Sequence, residues 1–84
     1  MMMNDWNSVI FLKTDKTSSD MMKGMSKWEG VEGMWSTTGD WDWCIKLDSK
    51  SSSPEKTEEF VNRMREGHWA TETKTNWWKQ VSGK

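Results

Sequence analysis

The sequence contains no tyrosine, one proline, one cysteine and one histidine among its 84 residues. Each shortage excludes something. The lone Cys44 cannot close an internal disulfide and fits a reducing compartment, here read as the cytoplasm. Its mid-strand position reads as a small buried hydrophobe rather than a reactive thiol. The lone His68 has no second imidazole for a metal pair and follows a glycine, so it reads as a solvent-facing loop residue. No Cys–His, Ser–His–Asp or phosphate-cradling glycine pattern occurs, so no catalytic residue, cofactor or metal is expected. The apolar runs are too short for a membrane span, and the opening MMMNDWN lacks the basic region of a signal peptide. A formal net charge of −1 removes the long-range pull that phosphate backbones exert, which argues against direct nucleic-acid binding.

Tryptophan is what the chain has in abundance. Eight Trp, within 33% hydrophobic and 30% charged residues, argue for a packed interior. Each ring can bury about 150–250 Å². Ordering costs about 1.5 kcal/mol per residue, which leaves so short a domain near balance on its own. Self-association is therefore expected on physical grounds. Residues 1–84 read as one domain, with 1–5 a flexible tail.

Trp6 to Thr14 holds an unbroken Val9-Ile10-Phe11-Leu12 run, as in a strand covered on both faces. Thr17 or Ser18 can cap a following helix whose stripe is Met21, Met22, Met25 and Trp28. Gly24 weakens that helix by about 1 kcal/mol relative to alanine. Gly30 is placed to end it in the left-handed C′ position. VEGMWSTT then reads as a second strand, Gly39-Asp40 as a two-residue type II′ turn, and WDWCIKLD as a third strand. Strict alternation would put Trp41, Trp43, Ile45 and Leu47 on one face of it. Ser53-Pro54 caps and opens a second helix with a Phe60, Val61, Met64 stripe, a Glu59–Arg63 pair and Gly67 at its close. The Thr-rich segment from His68 to Val81 reads as the last strand.

The order is β-α-β-β-α-β. A faint repeat supports it: FLKTDK and IKLDSK precede the helices, and Glu-Gly ends each, at Glu29-Gly30 and Glu66-Gly67. Two such halves give an α+β, ferredoxin-like fold, a four-stranded antiparallel sheet with two helices on one face. The other face stays bare. Because large rings such as Trp77 and Trp78 fall on both sides of the last strand, a second copy laid face to face is the simplest cover.

The stretch Thr38-Gly39-Asp40-Trp41-Asp42 sets two acids in the tightest corner of an aromatic segment. One reading is a plain hairpin turn in which Asp42 caps the corner or pairs with a lysine. The other is a ligand grip. Thr-Gly-x-x-Asp, together with WEGVEGMWSTTGDWD, VIFLKT and TETKTNWW in this order, resembles the effector-binding domain of the Lrp/AsnC family of amino-acid-responsive regulators. Nearly the whole chain takes part in the resemblance. The family joins this domain to an N-terminal helix-turn-helix, so the chain resembles the stand-alone form, the RAM domain. Trp41 stands where the family commonly has Tyr, and GHWATETKT is one residue longer than the usual form.

The resemblance implies face-to-face homodimers that assemble into rings. It also implies amino-acid effectors at Thr38, Gly39, Asp40, Trp41 and Asp42, and influence on transcription through a separate DNA-binding regulator. In that setting Asp42 or Asp40 accepts from a ligand ammonium, while backbone N–H groups around Gly39 donate to its carboxylate. Rival readings are a dimeric ferredoxin-like enzyme of the small monooxygenase type, by fold analogy, and a purely structural oligomerisation domain. Lys74, Lys79 and Lys84 beside Trp77 and Trp78 have the residue types for base stacking, but without an RNA-recognition aromatic signature.

Overall fold

The computed structural model describes residues 6–15 and 22–83. Its strands are β1 (Trp6–Lys13), β2 (Val31–Ser36), β3 (Trp43–Leu47) and β4 (Glu72–Lys79), and its α-helix is α1 (Pro54–Glu66). The strands pair antiparallel in the spatial order β2-β3-β1-β4. The most apolar strand, β1, is thus central, where both of its faces are covered best.

One sheet face carries the core. Ile10, Leu12, Ile45 and Leu47 meet Met22, Met25, Phe60 and Met64 from the helical segments. Among the described residues α1 is the one complete α-helix, while Met22 and Lys23 are helical and tighten into a 3-10 turn at Gly24–Lys27. The tightening falls at the glycine. The expected caps Thr17 and Ser18, and Met21 of the stripe, lie outside the described residues. Gly30 is left-handed, φ +93°, but not at the expected C′ position: the turn ends at Lys27 with Trp28 as an extended C-cap, and Gly30 sits in the tight turn that the Val31 N–H closes on the Trp28 carbonyl at 3.2 Å. The second Glu-Gly behaves differently: Gly67 has φ −85°, and the left-handed residue is the next one, His68, at φ 60°. His68 is exposed.

Helix α1 begins where Ser53-Pro54 dictates, with Ser53 Oγ accepting from the Lys56 N–H at 3.2 Å. Buried hydroxyls fasten that start to the sheet. The Ser8 N–H donates to Ser52 Oγ at 3.0 Å, Ser52 donates to the Asp48 carbonyl at 2.6 Å, and Thr57 donates to Ser8 Oγ at 3.0 Å. At the far end, Arg63 lies 4.0 Å over the ring of Trp28, which packs edge-on against Trp69. The ion pairs among the described residues are Lys13–Glu72 and Lys46–Glu32, so the expected Glu59–Arg63 pair gives way to this cation–π contact.

Among the described residues, no helix lies on the opposite sheet face. The register puts Trp35, Cys44, Phe11 and Lys74 in one row across it, one from each strand. Phe11 also meets Trp78 at 6.2 Å between centroids. Trp35 and Trp78 are 51% and 46% exposed, so this face is an apolar patch. Cys44 is buried beneath it, and burial pushes its thiol pKa up.

Candidate functional site

The β2–β3 connection is longer than the sequence pattern implies. Strand β2 ends at Ser36 and β3 begins at Trp43, so residues 37–42 form a six-residue loop rather than a two-residue turn. Asp42 is pinned at the end of that loop. Its backbone N–H donates to the Leu12 carbonyl at 2.9 Å, and its Oδ2 accepts from the Thr14 N–H at 3.0 Å. These bonds hold it to the end of β1. Thr37 closes the loop from the other side. Its N–H donates to the Asp42 carbonyl at 3.0 Å, and its hydroxyl donates to the Trp41 carbonyl.

Alternation therefore breaks before Trp43. Trp43, Ile45 and Leu47 do share the core face, but Trp41 does not join them. It packs on Phe11 at 6.4 Å, beneath the Lys13 ammonium at 5.4 Å, and so belongs to the aromatic cluster of the open face.

Thr38, Gly39 and Asp40 form the exposed tip between these pinned ends. Gly39 has φ +91°, and no atom lies within 4 Å of where a side chain would begin. The corner is thus left-handed and unobstructed, a conformation that favours glycine. The five residues singled out from the sequence do fall on one loop, yet they divide by role. Asp42 braces, Trp41 packs, and Thr38, Gly39 and Asp40 are presented to solvent. Thr14 and Thr37 were not expected here. The bond that recruits Thr14 depends on β1 lying beside β3, so nothing in its local sequence marks it, whereas Thr37 closes the loop through bonds to Trp41 and Asp42 inside it.

Ligand sites bury about 70–90% of a small molecule, which an exposed tip alone does not achieve. A neighbouring surface must complete any pocket here. Among the described residues, no group of three or more His, Cys, Asp or Glu is placed to hold a metal ion. No described helix is long and apolar enough to cross a membrane.

No protein-family model matches the sequence, and no curated protein is detectably similar to it. Solved structures do share its fold. An AsnC family transcriptional regulator from Agrobacterium tumefaciens superposes with a TM-score of 0.72 at 14% identity, over 95% of this chain and 54% of that one. A transcriptional regulator from Neisseria meningitidis, solved as a complex with L-Met, gives 0.73 at 15% identity, again over 95% and 54%. A hypothetical protein from Pyrococcus horikoshii gives 0.68 at 14% identity, over 89% of this chain and 90% of that one. The chain thus spans about half the length of the two regulators and nearly all of the shorter archaeal protein. The fold it shares with these structures is ferredoxin-like, a four-stranded antiparallel sheet with helical segments on one face.

Proposed function

We propose that this chain is a self-associating regulatory module that binds a small molecule, with amino acids as the ligand class. The observation that carries the proposal is the braced loop 37–42, whose left-handed Gly39 leaves its backbone open to approach. A free amino acid offers an ammonium and a carboxylate a few ångströms apart. Asp40 supplies a carboxylate for the first and the backbone N–H groups near Gly39 supply donors for the second. The Neisseria meningitidis complex with L-Met supports the ligand class. In this reading the protein is not an enzyme and works in the cytoplasm through a separate DNA-binding regulator. The second copy lies on the open face, over Phe11, Trp35, Trp41 and Trp78, and homodimers assemble further so that neighbouring subunits complete the pockets.

A thermal-shift panel of the twenty amino acids tests the ligand. At least one is expected to raise the melting temperature, with the gain lost in Asp40→Ala. Asp42 needs two variants, because it also holds Thr14. Asp42→Asn keeps an acceptor for that N–H and is expected to fold like wild type, whereas Asp42→Ala removes this solvent-exposed bond at a cost of about 0.5–1.5 kcal/mol. No shift with any amino acid, or equal shifts in wild type and Asp40→Ala, defeats the assignment. Sedimentation addresses assembly: Phe11→Asp or Trp78→Asp is expected to return the oligomer to monomer, and an unchanged oligomer removes the open face as its interface.

A further inference from the structure

Strand β4 closes one side of the sheet, and among the described residues no strand pairs with its outer edge. Between that edge and α1 runs a groove of about 280 Å³, lined by Pro54, Thr57, Glu58, Val61, Thr75 and Trp77. The register fixes which way it opens. Trp77 stands opposite Ser8, whose Oγ accepts from Thr57 of α1, and Thr75 stands opposite Ile10 of the core. Thr75 and Trp77 therefore lie on the helical side of the sheet, Trp77 half-buried and Thr75 exposed. A second copy laid over Phe11, Trp35, Trp41 and Trp78 leaves both the groove and the edge accessible.

We propose that this edge joins two copies of the chain by an antiparallel β4–β4 pairing centred on Asn76, which makes their two four-stranded sheets one. The inference rests on the reading of the open face as a dimer interface, and it supplies the contact through which such dimers assemble further. Strand β4 pairs with β1 along its whole length without a slip, so the main-chain groups of its outer side are spaced regularly for a second ladder. The side chains set the register. Residues facing one another in a sheet share a side, so a two-fold pair of identical strands centres on a residue. Centring on Lys74 sets like charges face to face. Centring on Thr75 sets the Glu72 carboxylate opposite Trp78, whose ring face is negative. Centring on Asn76 puts Lys74 opposite Trp78 instead, a favourable cation–ring pairing, and opposes no like charges. It also sets Trp77 of each copy opposite Thr75 of the other, where each indole covers the other copy's groove. Centres nearer either end of β4 shorten the ladder. Two face-to-face dimers form two such ladders at once, and effective concentration strengthens the contact, whereas a lone protomer offers one small ladder.

Sedimentation velocity of the full chain tests the edge, with wild type expected to run as a tetramer. Thr75→Asp, at an exposed position away from the open face, is expected to stop assembly at the dimer, weakening dimer–dimer association about tenfold or more. Trp77→Ala is expected to do the same by removing the ring that covers the other copy's groove. Val81→Asp adds the same charge to an exposed residue beyond β4 and is expected to leave the assembly unchanged. Matching far-UV circular dichroism identifies variants that keep the fold, and Thr75→Asp decides if Trp77→Ala does not fold. Hydrogen exchange gives a second reading: outward-facing β4 amides are expected to exchange about tenfold or more slowly in wild type than in Thr75→Asp. Full-size assembly in folded Thr75→Asp overturns the proposal. So does equally fast exchange in wild type, which would leave the edge open to a segment of some other protein. The open face is scored apart by Phe11→Asp: an oligomer that survives that change and falls to monomer in Thr75→Asp supports the edge and removes the face.

Discussion

Replacing Gly30 with alanine is expected to lower the melting temperature by roughly 10–40 °C, the slope for a domain this small being about 4–8 °C per kcal/mol. Two penalties combine. Gly30 has φ +93°, where an L side chain costs about 1–2 kcal/mol. Its added Cβ would also run into the Ser51 hydroxyl and lie 3.0 Å from the Ser51 Cβ. Such overpacking adds about 1–3 kcal/mol. The two parts are separable. Ser51→Gly in the Gly30→Ala background removes the collision and leaves the dihedral penalty, so partial recovery is expected. A melting temperature for Gly30→Ala within about 2 °C of wild type would mean that both penalties are absent.

Ile45→Ala is expected to be comparably damaging for a different reason. Ile45 is fully buried on β3, opposite Ile10 of β1 on one side and Met34 of β2 on the other. Truncating such a residue costs about 2–5 kcal/mol, set by how far the neighbours close the gap. A domain of this length has a total stability of only about 4–13 kcal/mol. Urea denaturation is therefore expected to show a midpoint lowered by a third or more with an unchanged slope. Ile45→Val should cost only about 0.5–1.5 kcal/mol. Equal midpoints for the two variants would show that the sheet collapses onto the void, against the tight core described above.

The elements whose signals are local were legible in the sequence. Four consecutive apolar residues in β1 announce burial on both faces, and β1 is central. Ser53-Pro54 fixes the start of α1 through capping that needs only its own turn. Gly30 announces a left-handed corner and has one, though in the turn after the helical exit rather than at the C′ position. The loop at the candidate site was legible only in part. Its residue types point to a sharp corner, but its bracing comes from Asp42 reaching back to Leu12 and Thr14, across 30 and 28 positions of chain. Alternation is a property of a paired strand, and Trp41 precedes the pairing, so its face is decided by Phe11 instead. The groove beside β4 has no linear signature for the same reason. Its walls come from α1 and β4, which meet only because both pack on β1.

The irregularity in β2 also governs how this sheet can grow. The register shifts between Val31 and Gly33, and the Trp35 ring folds back over Gly33, where a Cβ would lie 2.6 Å from its Cη2 atom. A kinked border roofed by an indole is a poor template for an incoming foreign strand. The other border, β4, pairs with β1 along all eight of its residues without a slip and is guarded chiefly by the charges of Glu72, Lys74 and Lys79. Extension of the sheet by strand addition is thereby steered to one margin, where ionic strength rather than shape sets the barrier.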